Sequence, residues 1–176
     1  QSKEGLGQVV LLTGEAGIGK TTLVETLRTE VRREGVTRIT FRCSPYHQNS
    51  ALYPVIEHLQ RWLQFERDDP PAARLEKLER VLAAYRFPVA EMVPLFAALL
   101  SVAVPEGRYP ALGLTPQQQR QQTHDALAAW LMAETERQAV LAVWEDLQWA
   151  DPSTLEWLGL VIDQTPTVRM LTVLTF

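Results

Sequence analysis

The sequence predicts an α/β protein with three layers built on a parallel sheet, and three observations carry that expectation. Strand-like and helix-like periods alternate along the chain, a glycine-rich turn lies where the first strand passes into the first helix, and a later apolar run ends in two adjacent carboxylates. With 176 residues and 46% hydrophobic content the chain can bury a substantial core, and its length favours one domain.

Residues 8–13 (QVVLLT) form a short β-rich run. The next segment puts Leu23, Val24, Leu27 and Val31 on one helical face, and residues 37–43 (TRITFRC) are β-like again. Strand, helix and strand in succession imply parallel pairing. A helical stretch at residues 50–115 follows, between the second strand and the strand that ends in acids. One of its helices carries Leu52, Val55, Ile56, Leu59 and Leu63 on a single stripe, and another carries Leu75, Leu78, Leu82 and Tyr85. Prolines at 70, 71, 88, 94, 105 and 110 punctuate the stretch. A further helix opens at TPQQ, with Thr115 as N-cap, Pro116 at the first helical position and Gln118 where a capping box needs it, and runs on through Leu127, Trp130 and Leu131. The final run, VRMLTVLTF, reads as a buried strand. Because the chain starts without Met and stops inside that run, both ends read as cut, and a longer parent protein is expected.

Composition excludes several classes of function. A formal charge of −4 leaves no broad basic surface, so neither direct nucleic-acid binding nor attachment to an anionic membrane is expected, although a local basic face stays open. The longest charge-free apolar run, residues 95–104, is far short of the roughly 20 residues that span a bilayer, and the first eight residues are no signal peptide. The single cysteine, Cys43, cannot form an internal disulfide, which fits a reducing compartment and a cytoplasmic location.

The strongest chemical signal is GEAGIGKTT, residues 14–22. Gly14, Gly19, Lys20 and Thr21 satisfy G-x-x-x-x-G-K-[ST] after a strand and at the start of a helix, the context that a phosphate-binding loop requires. Glycines let successive backbone N–H groups turn inward on a polyanion, and the helix N-terminus adds its dipole. The expected nucleotide contacts are therefore Gly14, Glu15, Ala16, Gly17, Ile18, Gly19, Lys20, Thr21 and Thr22. Lys20 is expected to reach the β- and γ-phosphates, Thr21 to sit on Mg²⁺, and Thr22 to lie beside the α-phosphate. The fold class is thus that of a P-loop NTPase core.

Such a loop needs an acidic partner at the end of a neighbouring strand, and VLAVWEDLQWAD supplies Glu145 and Asp146. Two carboxylates at successive strand positions point to opposite sides, so one can serve the metal and the other the attacking water. Order along the strand gives Glu145 to the metal, with Thr21, and Asp146 to the water. The commoner P-loop pattern has Asp first and Glu second, so the opposite division stays open. Lys20, Glu145 and Asp146 form the expected catalytic set. Asp151, before Pro152 and the apolar positions Leu155, Leu158 and Ile162, is explained by an ordinary N-cap.

GEAGIGKTTL together with WEDLQWADPSTLEWL resembles the ATPase core of the signal-transduction ATPases with numerous domains (STAND), a branch related to AAA+ proteins. The intervening RCSPYHQNSALYPVIEHLQ is similar to versions found in large bacterial regulators, often joined to a nucleotidyl-cyclase or kinase domain. The resemblance covers nearly the whole chain. It implies a parallel sheet with the phosphate-loop strand central, ATP or ADP with Mg²⁺ as cofactors, use as a conformational switch, other domains of the parent chain as partners, and nucleotide-dependent oligomerisation. It also implies parts that lie outside this sequence: an adenine-holding segment upstream, and a fifth strand, a sensing arginine and a helical lid after residue 176.

Three functions stay open at this point: an ATP-hydrolysing switch module, a non-hydrolysing nucleotide-binding interaction module, and a P-loop kinase for a small molecule. No N-K-x-D signature occurs, which favours adenine over guanine. Other polar residues have plainer explanations. His47, His58 and His124 lack ligand spacing, Cys43 reads as a small buried thiol, and Thr175 as a structural strand-end residue, whereas Trp149 falls in the loop after the acids, near where nucleotide is expected.

Overall fold

The computed structural model describes residues 6–15, 17–32 and 35–176. Among these described residues four strands, β1 (Gln8–Leu12), β2 (Thr37–Arg42), β3 (Val140–Glu145) and β4 (Met170–Thr175), pair in the order β1-β4-β3-β2, all parallel. Six α-helices accompany them: α1 (Lys20–Arg32), α2 (Tyr53–Trp62), α3 (Pro71–Ala84), α4 (Val89–Leu100), α5 (Pro116–Arg137) and α6 (Pro152–Gln164). Parallel strands need crossovers, and each here contains a helix.

The chain divides into two compact units, one formed by the residues up to His58 with Trp130–Phe176, the other by Leu59–Ala129. In the first, side-chain alternation along the strands separates two kinds of packing. On one face α1 sets Val24, Leu27 and Val31 against Leu141, Val143 and Val173. On the other, Phe41 and Trp144 lie with ring centroids 4.2 Å apart, and Trp157 of α6 meets Phe41 edge-on at 5.5 Å. All three rings are fully buried. Helix layers on both faces of a parallel sheet are the three-layer α/β fold that the sequence predicts.

In the second unit α3 packs on α4, burying Leu75, Leu78 and Leu82 of the former and Val93, Phe96 and Leu100 of the latter. Arg108 grips Glu79 through two hydrogen bonds of 2.7 Å, and Tyr109 donates a third at 2.7 Å, so the Glu79 carboxyl is held below its usual pKa, chiefly by the arginine. The capping box forms as the sequence predicts: Gln118 N–H donates to Thr115 Oγ1 at 3.3 Å and Thr115 N–H to Gln118 Oε1 at 2.9 Å.

Two differences from expectation concern element limits and sheet order. The stripe from Leu52 to Leu63 is buried at both ends, yet α2 spans only Tyr53–Trp62, because Leu52 takes a left-handed backbone (φ 58°) and leads into the helix instead of joining it. Among the described residues the phosphate-loop strand, implied to be central, is one of two edge strands, β2 being the other. β1 pairs with β4 on one side, and no strand lies on its other side among the described residues. Val9, Val10 and Leu11 of this strand are accordingly exposed.

Candidate functional site

The site lies beyond the carboxyl ends of the strands, where β1 gives way to α1. Gly17 (φ 84°) and Gly19 (φ 102°) occupy backbone regions that side-chain-bearing residues rarely adopt. Their freedom lets the loop turn back so that Leu23 N–H reaches Gly19 O at 3.1 Å and the helix begins. Lys20, the first helical residue, folds over the loop, its Nζ donating to Gly14 O at 2.5 Å and Glu15 O at 3.1 Å. Glu15 O also accepts from Ile18 N–H at 3.3 Å, closing a turn. Ala16 lies outside the described residues. Ile18 is 70% exposed at the loop tip, and Thr22 is exposed on α1, its carbonyl taken by Thr26 Oγ1 at 2.9 Å.

A cleft of about 230 Å³ opens beside the loop, lined by Lys20, Thr21, Arg42, Glu145, Asp146 and Thr175 among others. The structure therefore brings Lys20 and Thr21 together with Glu145 and Asp146, although the two pairs are more than a hundred residues apart in sequence.

Glu145 ends β3 in register with Arg42, the last residue of β2. Residues in register point to the same side of a parallel sheet, here the side that carries α1, and Arg28 faces them from that helix two turns after Lys20. Arg28 Nη2 donates to Glu145 Oε1 at 2.8 Å and to Thr40 Oγ1 at 3.0 Å, while its Nη1 pairs with Glu25. Arg42 Nε donates to Glu145 Oε2 at 2.8 Å. The hydrogen bond to Glu145, and then the charge of Glu145, hold the Arg42 guanidinium above its ordinary pKa.

Asp146 departs from the expected strand geometry. The strand stops at Glu145, and Asp146 takes a left-handed conformation (φ 58°, ψ 47°) that opens the short 3₁₀ helix Leu147–Trp149. The two acids therefore diverge through a backbone turn, not through strand alternation. Asp146 N–H donates to Thr175 Oγ1 at 3.2 Å, and Asp146 O accepts from Trp149 N–H at 2.9 Å. Thr175, buried at the end of β4, thus fixes the turn that places Asp146.

Asp151 caps α6, as the sequence predicts. It is 3% exposed, and its Oδ1 accepts from Thr154 N–H at 3.0 Å and from Leu52 N–H at 3.2 Å, while Oδ2 accepts from Thr154 Oγ1. Cys43 is a buried thiol whose pKa is pushed up to about 12, mainly by burial and further by the charges of Asp151 and Asp146. Trp149 sits in the 3₁₀ turn, 38% exposed.

Comparison with known proteins gives a family. A family model described as an AAA ATPase domain matches residues 1–174. The chain belongs to the AAA ATPase domain family. It is also similar to an uncharacterized protein of Rhizobium meliloti (strain 1021), 31% identical over 158 residues that make up 88% of this chain and 15% of the relative. The chain thus spans about 15% of the length of the curated relative it matches. No solved structure matches it. Membership in a family of nucleotide-binding ATPases agrees with a glycine-rich loop and a carboxylate pair that share one cleft.

Sequence reasoning missed two residues of this AAA ATPase domain, Arg28 and Arg42. Each left a signal. Arg28 stands at positions i+4 and i+8 from Val24 and Lys20, on the face of α1 that meets the sheet, and Arg42 is the charged residue where a β-like run ends, the same position that singles out Glu145 in its own strand.

Proposed function

We propose that this AAA ATPase domain binds ATP and ADP with Mg²⁺ in the cleft beside residues 14–22 and works as a hydrolysing conformational switch within a larger regulator of the STAND type. One observation carries the proposal: a loop with glycines in left-handed conformations and Lys20 at the helix start faces two carboxylates across a single cleft. Backbone N–H groups of the loop and the N-terminus of α1 receive the phosphates, and Lys20 exchanges the carbonyls of Gly14 and Glu15 for phosphate oxygens.

The donor set suits a hard cation. Thr21 and Glu145 offer a hydroxyl and a carboxylate in the same cleft, and no group of three or more His, Cys, Asp or Glu is gathered as a cage among the described residues. Mg²⁺ is commonly held in this way, by one or two protein oxygens, with phosphate and water completing the shell. When bound it neutralises charge on the transferring phosphoryl group. Asp146, placed by Thr175, accepts from the attacking water. The switch role is supported by the contacts of Lys20 and Glu145, both of which must change partners when nucleotide arrives. The placement of the domain within a longer chain is supported by the far longer relative.

A non-hydrolysing binding module is the second reading, favoured by the engagement of both Glu145 oxygens with guanidinium groups. The test begins with Lys20→Ala, which should weaken ATP and ADP binding at least tenfold, about 1.4 kcal/mol, with circular dichroism unchanged. Equal calorimetric affinity in the variant and the unsubstituted chain would remove the phosphate-loop assignment, and phosphate release by a form extended at both ends separates the switch from the inert module.

A further inference from the structure

The two arginines on Glu145 are not equivalent. Arg28 is held at both terminal nitrogens, Nη1 by Glu25 and Nη2 by Thr40 Oγ1 at 3.0 Å and Glu145 Oε1 at 2.8 Å, with its side chain 13% exposed. Among the described residues, the hydrogen bonds of the Arg42 side chain go to Glu145 Oε2 alone, at 2.8 Å, and that side chain is 66% exposed. Arg28 is therefore a fixture and Arg42 a movable group, each on a different oxygen of one carboxylate. Glu145 itself is 12% exposed, so solvent cannot stand in for a lost partner on equal terms.

We propose that Arg42 is a latch on Glu145, holding the oxygen that a divalent cation must take and so setting the Mg²⁺ concentration at which the cleft becomes competent. The proposal rests on the nucleotide-site reading above. A cation beside Oε2 would meet the Arg42 guanidinium with like charge, so the two compete for one carboxylate oxygen. Arg28 need not move, because it occupies Oε1 and is anchored to Glu25 and Thr40. Its retained charge keeps Glu145 ionised and aimed into the cleft. Arg42 swings out at little cost, being mostly solvated already. It is thus a positioning residue that controls whether Glu145 is available.

The experiment titrates ATP binding calorimetrically at stepped Mg²⁺ concentrations and records the Mg²⁺ giving half-maximal tightening. Arg42→Gln should lower that concentration about two- to fivefold, the factor that a partly exposed ion pair carries. Arg42→Lys, which keeps the charge but loses the Nε–H donor, should fall between parent and Arg42→Gln. In a Glu145→Gln background, Arg42→Gln should produce no further change, because the oxygen it guards no longer carries charge. Thermal unfolding of each variant verifies the fold. If Arg42→Gln needs as much Mg²⁺ as the parent, or more, while both bind nucleotide, the latch is wrong and the nucleotide site stands. An equal drop in the Glu145→Gln background would also overturn the latch, since the effect would then be general electrostatics. A parent that binds no nucleotide at any Mg²⁺ concentration overturns the site and the latch together.

Discussion

Asp151 offers the sharpest separation of a structural carboxylate from a chemical one, because it lies in the same acidic segment as Glu145 and Asp146 yet does not line their cleft. Its Oδ1 serves two backbone donors at once, Thr154 N–H at the start of α6 and Leu52 N–H at the left-handed turn before α2, and its Oδ2 receives the Thr154 hydroxyl. Truncation by Asp151→Ala removes the cap, about 1 kcal/mol, and leaves the Leu52 N–H buried without an acceptor, about 1–3 kcal/mol more. The sum is about 2–4 kcal/mol. Asp151→Asn behaves differently. An amide oxygen in the Oδ1 position keeps both backbone bonds, and the amide nitrogen in the Oδ2 position can donate to the Thr154 hydroxyl, which accepts as readily as it donates. Only the assistance of the charge is lost, so the cost should stay within about 1 kcal/mol.

Equilibrium urea unfolding followed by tryptophan fluorescence measures both variants, with Trp157 on α6 as a natural reporter. Asp151→Asn should bind nucleotide as the parent does. Two results would refute the reasoning: an Ala variant within about 0.5 kcal/mol of the parent, which would mean that the cap contributes nothing, or an Asn variant as unstable as the Ala variant, which would mean that the charge matters and the hydrogen-bond geometry does not.

Two further outcomes follow from the site. Glu145→Gln should raise the Mg²⁺ needed for tight nucleotide binding, whereas Asp146→Asn should spare binding and lower phosphate release in any form of the protein that turns over; the reverse division would assign metal and water to the other carboxylates. The buried Cys43 thiol, raised from 9.0 to about 12, resists ionisation that the unfolded chain undergoes freely. Its contribution to stability is complete below pH 9.0 and declines as pH rises toward about 12. Between pH 8 and pH 10 the parent should lose about 1.4 kcal/mol more stability than Cys43→Ala does, measured by urea unfolding at both pH values; equal losses would show that Cys43 is solvated.

Much of this was legible in the sequence because it depends on local chemistry. The phosphate loop, the Thr115 capping box and the Asp151 cap each need only a few adjacent residues of the right type, and the helical stripes of Leu75, Leu78 and Leu82 declare themselves by period. What sequence could not give is long-range register. The pairing of Arg42 with Glu145 depends on which residue of β2 stands beside the end of β3, and one residue of slippage would have turned Arg42 to the other face. The edge position of β1 is of the same kind: four successive apolar positions predict a strand, but nothing in them says how many neighbours it has.

The acid pair shows how a one-residue difference in local structure alters a functional argument. Strand alternation would have sent Glu145 and Asp146 to opposite faces of the sheet and put one of them among the buried aromatic rings of Phe41, Trp144 and Trp157, where an ionised carboxylate is costly. The chain avoids this by ending the strand at Glu145 and turning left-handed at Asp146, one of the few residue types that tolerates that conformation well. The turn is secured by Thr175, whose hydroxyl takes the Asp146 N–H at 3.2 Å, and by the Trp149 N–H on the Asp146 carbonyl at 2.9 Å. Both acids then line the cleft that Lys20 and Thr21 line. Backbone strain held by two hydrogen bonds at the rim of a cleft is where a working residue is expected, and it explains why a threonine with no chemistry of its own stands at the end of β4. Thr175→Val should accordingly leave the sheet intact while loosening Asp146, so that phosphate release suffers more than nucleotide affinity does. A Thr175→Val protein that loses affinity and turnover equally would place the threonine on the nucleotide itself.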